Sequence, residues 1–160
     1  TWADVKLLDD LIKKTKFNLT TKSERECELS FANILLGMEE KFNGKIYSQI
    51  DQDTSVKAVF CFGKKHRPDL TIDEDGIAIE IKFIKDSLDG IKNAFGQSLM
   101  YRLRYKFVIN VIIVSEKNKD TYYKADNEED KDLFDIFKVF IRRYEYFYIH
   151  CTILFFEYWS

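Results

Sequence analysis

The sequence predicts one α/β domain: a central mixed β-sheet flanked by helices. Three patterns lead there. Apolar residues recur at helical spacing through the first forty or so residues, as in Val5, Leu8, Leu11 and Ile12. The segment Ile77-Ala78-Ile79-Glu80-Ile81-Lys82-Phe83-Ile84 is apolar on both faces, the mark of a buried central strand. After a helix-length stretch, Phe107–Ser115 (FVINVIIVS) is almost wholly β-branched and apolar, which predicts an interior strand parallel to a neighbour.

Taken in order, residues 2–16 read as an amphipathic helix, followed by a polar break from Phe17 to Lys22. A second helix begins near Ser23, with Thr21 or Ser23 as N-cap and a Glu three residues on in either register. Its buried stripe is Cys27, Phe31, Ile34, Leu35 and Met38, and Asn43-Gly44 stops it after Phe42. Ile46–Ile50 and Val56–Phe62 are expected strands. Leu70–Ile72 and Ile77–Ile84 form a hairpin whose turn, Asp73-Glu74-Asp75-Gly76, carries an Asp-Gly signal. Asp86 or Asp89 caps a third helix that extends to about Tyr105. Polar residues 116–132 read as a surface loop leading into a helix over Lys131–Arg143, and Tyr146–Tyr158 as a closing aromatic strand.

Composition narrows the classes. The 160 residues are 46% hydrophobic and 16% aromatic with one proline, which excludes a disordered chain. A net charge of −2 excludes a uniformly basic binder, yet an acidic metal site and a basic groove can cancel in that total. Cys27, Cys61 and Cys151 are odd in number, sit among apolar neighbours and lack zinc spacing, so a reducing, cytoplasmic location is expected. No run reaches membrane-spanning length and no signal peptide is read, so no membrane partner is expected. The start at Thr1 without Met suggests a trimmed chain or a domain cut from a longer protein that carries further domains.

The chemistry concentrates around Arg67-Pro68-Asp69 and Glu80-x-Lys82. Side chains alternate along a strand with period two, so Glu80 and Lys82 share a face, and the hairpin returns Asp69 alongside Glu80. A carboxylate and a lysine two apart are most often a solvated strand face. Here the flanking isoleucines bury them, and buried charges need a partner or a metal.

Pro68-Asp69, Glu80-x-Lys82 and, on the following helix, Gln97-x-x-x-Tyr101 together resemble the PD-(D/E)XK nuclease superfamily, in its Gln-x-x-x-Tyr branch. The resemblance covers about residues 23–115 and implies a restriction-endonuclease-like α-β-β-β-α-β core. The first helix and the final helix and strand lie outside it, within one domain of residues 1–160. It implies a Mg²⁺-dependent nuclease, with Mn²⁺ as substitute, that hydrolyses phosphodiester bonds in DNA. Asp69, Glu80 and the Ile81 carbonyl are then metal ligands, and hard oxygen donors suit such a cation. Lys82 holds or deprotonates the attacking water, with its own pKa expected to fall. Gln97 reaches the metal site or the lysine, and Tyr101 contacts a phosphate or packs beside it. The family's first core helix adds a carboxylate, for which Glu28 is the choice and Glu24 the reserve.

Lys57, Lys64, Lys65, His66 and Arg67 form a basic group before Asp69, and Lys85, Lys92, Arg102, Arg104 and Lys106 flank the third helix. Beside a metal site these suggest a phosphate-backbone track, which gives affinity without sequence information. His150 reads as a core or edge residue. RNA cleavage, or a non-catalytic nucleic-acid-binding or scaffolding domain that retains the fold, are the alternatives. The aromatic C-terminal strand and the first helix offer a homodimer surface.

Overall fold

The computed structural model describes residues 2–14, 24–42, 44–49, 56–84 and 87–156; the side chains of Glu24, Cys27, Glu28 and Phe156 lie outside the described set. So do the expected caps Thr21, Ser23 and Asp86, the stop residue Asn43, and Ile50 and Lys85. The elements are α1 (Trp2–Lys14), α2 (Glu24–Leu36), β1 (Ile46–Ser48), β2 (Val59–Cys61), β3 (Lys64–His66), β4 (Leu70–Ile72), β5 (Ile77–Ile84), α3 (Asp89–Tyr101), β6 (Phe107–Ser115), α4 (Lys119–Tyr123), α5 (Glu128–Arg143) and β7 (Ile149–Phe156).

Among the described residues, five strands form one mixed sheet in the order β1-β4-β5-β6-β7, while β2 and β3 form a separate hairpin. The β1–β4 and β4–β5 pairs are antiparallel; β5–β6 and β6–β7 are parallel. Period-two alternation divides β5 between two cores. Ile77, Ile79, Ile81 and Phe83 pack with Val5, Leu8 and Ile12 of α1 and with Phe31 and Leu35 of α2. Ala78 and Ile84 face the opposite layer, where α3 contributes Ile91, Ala94, Phe95 and Tyr101. Each central strand is therefore buried on both faces, as its unbroken apolar sequence requires.

Several boundaries differ from those expected. The α-helical ladder of α2 ends at Leu36, before Gly37, and a 3₁₀ turn (Glu39–Lys41) carries the chain to Phe42. In place of a strand through Phe62, the chain reverses at Phe62-Gly63, both with positive φ (52° and 74°), so Cys61 opposes Lys64 across a two-residue turn. The Lys64–His66 run is thus a strand. In the β4–β5 turn the positive φ falls on Asp73 (64°), while Gly76 is required for closeness: a Cβ there would lie 2.4 Å from the Ile72 carbonyl oxygen. Asp89 does not cap α3 but opens it, its amide donating to Ser87 Oγ at 3.3 Å, and the helix ends at Tyr101.

The polar stretch 116–132 is more ordered than a loop. It folds into a 3₁₀ turn (Glu116–Asn118), α4 and the start of α5. Asn127 caps α5, its side chain accepting from the Asp130 amide at 2.8 Å, and the acidic run becomes the helix's first turn. Carboxylates there oppose the helix dipole, which pulls the start three residues forward of Lys131. A 3₁₀ turn (Tyr144–Phe147) and Tyr148, at φ 61°, then delay β7 until Ile149.

Candidate functional site

Asp69, Glu80, Ile81, Lys82 and Tyr101 are brought together at the middle of β5. The register pairs Leu70 with Ile79, and its next step sets Asp69 opposite Glu80. The Asp69 Oδ2 accepts the Ile81 amide proton at 2.7 Å. A strand residue's N–H and C=O leave on the same side, so the Ile81 carbonyl also faces the Asp69 edge. Glu80 is 3% exposed and doubly engaged: its Oε1 lies 3.3 Å from the Lys82 ammonium and its Oε2 accepts from the Tyr101 hydroxyl at 3.1 Å. Such pairing is what allows a carboxylate to stay buried.

The Tyr101 hydroxyl also lies 3.0 Å from the Arg67 carbonyl, so its one proton is shared between that oxygen and Glu80. Burial, and then the charge of Glu80, raise the Tyr101 pKa far above the ordinary phenol value. It therefore stays a neutral donor. Asn110, fully buried and opposite Glu80 in the β5–β6 register, donates to Ser98 Oγ at 3.0 Å, while its buried Oδ1 has no hydrogen-bond partner among the described residues.

Lys82 forms one wall of an open cleft of about 730 Å³, with His66, Ser87, Lys92, Asn93, Gln97 and Met100 among its other lining residues. Among the described residues the lining carries lysines and amides and no carboxylate, with Lys92 paired to Asp89 at 3.6 Å. Gln97 thus shares the cleft with Lys82, and its buried Oε1 has no hydrogen-bond partner among the described residues. Asn93 sits one helical turn before Gln97, on the same face.

The basic residues divide into two groups. Lys64 and Lys65 are exposed on the β2–β3 hairpin, with His66 turned toward the cleft and Arg67 exposed beyond it. On the same hairpin Phe60 and Phe62 are exposed, Phe60 directly opposite Lys65. Arg102 and Arg104 do not line the cleft. The Arg102 guanidinium donates to the Phe147 carbonyl at 2.6 Å and to the Tyr105 carbonyl, and it lies over the Tyr148 ring. Arg104 pairs with Asp75 at 3.7 Å, and Lys57 with Glu74 at 3.0 Å. His150, taken from sequence as a core or edge residue, bridges Asp9 and Glu145 at 3.0 and 2.9 Å.

Sequence reading passed over Asn110, Asn93 and the two hairpin phenylalanines. Asn110 had a visible signal, since it is the one amide inside the apolar run FVINVIIVS. The phenylalanines had none, because β2 read as a continuous strand.

No cluster of three or more His, Cys, Asp or Glu side chains able to hold a metal ion is found among the described residues. The described donors suited to a cation are two carboxylates and a carbonyl; the side chains of Glu28 and Glu24 lie outside them. That donor set fits Mg²⁺, which needs only one or two carboxylates beside water and phosphate oxygens. Comparison of the chain with family models, with curated proteins and with solved structures gave no match in any of the three.

Proposed function

We propose that this chain is a metal-dependent nuclease that hydrolyses phosphodiester bonds in DNA, built on a restriction-endonuclease-like core. One observation carries the reading: Lys82 is held against the buried Glu80 while forming the wall of a cleft whose described lining residues include His66, Lys92, Asn93 and Gln97 and no carboxylate. Such a lining selects an anion, and a carboxylate-braced lysine at its wall is the usual equipment for phosphate chemistry. The order α2, β1, β4, β5, α3, β6, with antiparallel pairing giving way to parallel, supports the fold assignment.

Asp69 and Glu80, with the Ile81 carbonyl, are the residues that would hold Mg²⁺. A bound ion would supply a more acidic water and offset charge on the phosphate. The side chains do the rest. The Ile81 amide fixes the Asp69 carboxylate. The Tyr101 hydroxyl and Lys82 fix Glu80. Lys82 sets positive charge where the phosphate gains negative charge during attack by water and departure of the sugar oxygen. Lys92, Asn93 and Gln97 offer donors to non-bridging oxygens.

The β2–β3 hairpin supports a nucleic-acid substrate, since Lys64 and Lys65 supply charge for phosphates and Phe60 and Phe62 supply faces on which bases stack. The test is incubation with plasmid, linear duplex, single-stranded DNA and RNA, in Mg²⁺, Mn²⁺ or EDTA, with Lys82→Ala as control. DNA cleavage that EDTA and Lys82→Ala both abolish is expected. Cleavage of RNA alone would move the reading to the alternative substrate, and binding without cleavage to a non-catalytic domain.

A further inference from the structure

Helix α5 has no buried residue, although it is rich in apolar side chains. Phe134, Phe137 and Ile141 turn inward, toward Tyr122, Phe95 and the layer around Ile112. A second apolar row turns outward: Leu133, Ile136 and Phe140 are 58%, 50% and 57% exposed, and Val139 lies beside them. Solvated helix faces are normally polar, so an aligned apolar row calls for a partner. The faces of β7, by contrast, are covered: none of its described side chains is exposed. The oligomer surface expected at β7 and α1 is therefore less suited to the task than α5.

The positions in that row name the partner. Glu129, Leu133, Ile136, Phe140 and Arg143 are spaced four, three, four and three residues apart, the spacing of a coiled-coil seam. The apolar centre is bounded by an acid at one end and a base at the other. Neither Glu129 nor Arg143 has an ion-pair partner among the described residues. A two-fold axis through Ile136 would set a second α5 antiparallel to the first. Glu129 of one copy would then meet Arg143 of the other at both ends, Leu133 of one copy would lie within one residue of the level of Phe140 of the other, and Ile136 would meet itself. The acidic first turn would lie against the basic last turn, as the two helix dipoles also favour. A surface for an unrelated partner has no need to be complementary to itself. We infer that α5 is the interface of a homodimer, formed by antiparallel pairing along the Glu129–Leu133–Ile136–Phe140–Arg143 seam. A groove of about 510 Å³ lined by Val139, Arg142, Arg143, Glu145 and Tyr146 continues the surface past the helix end. This assignment stands apart from the nuclease reading, although a dimer would put two copies of the cleft in one particle.

Sedimentation equilibrium on the full chain, at concentrations on the order of 1–100 µM, tests it. A reversible monomer–dimer equilibrium is expected. Glu129→Arg or Arg143→Glu alone sets like charges together at both ends and should weaken dimerisation about tenfold. The double variant Glu129→Arg/Arg143→Glu should restore it, since the pair is re-formed with reversed sign. Ile136→Glu, at a position already 50% exposed, should leave only monomer, with its unfolding midpoint measured alongside. A wild-type chain that is monomeric throughout overturns the proposal. So does a dimer that survives Ile136→Glu, or single charge variants that the double variant fails to rescue.

Discussion

Asp69 and Ile81 are joined where the β4–β5 ladder stops: the Asp69 carboxylate takes the Ile81 amide proton at 2.7 Å. The next register step would pair Ile81 with Pro68, but the Pro68 carbonyl accepts from Gln49 Nε2 at 2.8 Å instead. A side chain thus completes the strand, and that same side chain is the proposed metal ligand. Folding and function are superimposed on one carboxylate, so substitutions must be chosen to separate them.

Asp69→Ala leaves the buried Ile81 amide without its acceptor and should destabilise the fold by about 1–3 kcal/mol. Asp69→Asn keeps an acceptor oxygen while removing the charge. It should unfold near the wild-type denaturant midpoint but lose Mg²⁺ affinity in a calorimetric titration. An Asn variant that binds Mg²⁺ as the wild type does would remove Asp69 from the ligand set.

Lys82→Ala removes the charge from the cleft wall. The lysine itself is 22% exposed, but its loss takes this cation away from the buried Glu80, so the unfolding midpoint should fall and turnover is to be measured where the variant is folded. If its charge acts mainly in the transition state, turnover should fall by about two orders of magnitude or more, with KM nearly unchanged. Single-turnover cleavage rates near those of the wild type would show that the Glu80–Lys82 pair is only structural.

How much of this was legible beforehand depends on the range of the interactions concerned. Period-two alternation at Ile77–Ile84 and the β-branched run at Phe107–Ser115 are local patterns, and both strands formed at the expected limits. Asp69, Glu80 and Lys82 could be gathered by strand parity and a hairpin, whereas Tyr101 was reached only through the resemblance, and its bond to Glu80 was not foreseen. Backbone reversals that depend on φ alone were harder. The Phe62-Gly63 turn is hidden inside an apolar-looking strand, so the exposed hairpin phenylalanines were missed. Arg102 read as a phosphate contact because charge is visible in sequence. Its acceptors, the Tyr105 and Phe147 carbonyls, are set by where a 3₁₀ turn ends, and that is not.

High pH should weaken the fold through two buried phenols and a partly buried thiol. Burial raises the Tyr101 phenol far above its ordinary value and the Tyr105 phenol to about 12. Burial, and then Glu145, raise the Cys151 thiol to about 12. In the unfolded chain these groups lose protons near 9 to 10, whereas the folded chain retains them. The unfolded state therefore binds fewer protons over this window, and stability falls as pH rises from about 9 to 12. Urea midpoints measured between pH 8 and 11 should decline, and Tyr101→Phe should decline less steeply. Identical pH slopes in the two proteins would rule out Tyr101 as a contributor.

Low pH should act at the joint between the two ends of the chain. Asp9 accepts from Lys13 at 2.6 Å, from Thr152 at 2.7 Å, and faces His150 at 3.0 Å, which ties α1 to β7. Burial opposes its ionisation, but the bonds from Lys13, His150 and Thr152 outweigh this and leave the pKa lowered from 3.8. Its contribution is then present above 3.8 and is lost as pH falls through the lower folded value. Asp9→Asn should be less stable than wild type at pH 7, with the gap narrowing as pH drops below 4. A gap that does not change with pH would mean the ionised form adds nothing.

The two basic groups should respond oppositely when substituted. Lys64, Lys65 and Arg67 are exposed, so replacing all three with alanine should leave the fold intact. If they track a phosphate backbone, the log–log salt slope of duplex binding by a Lys82→Ala protein should flatten by about two to three units, at about 0.9 per contact. The loss should be similar for every sequence tested, because phosphate contacts carry no base information. Arg102→Ala should instead leave the slope nearly unchanged and lower the unfolding midpoint, because it strips donors from two backbone carbonyls. Phe60→Ala/Phe62→Ala should weaken single-stranded binding about tenfold or more and duplex binding less, since paired bases have no free face to stack on. Fluorescence anisotropy over a salt series reads all three. An unchanged slope in the triple variant, with a changed slope in Arg102→Ala, would move the nucleic-acid track to the far end of α3.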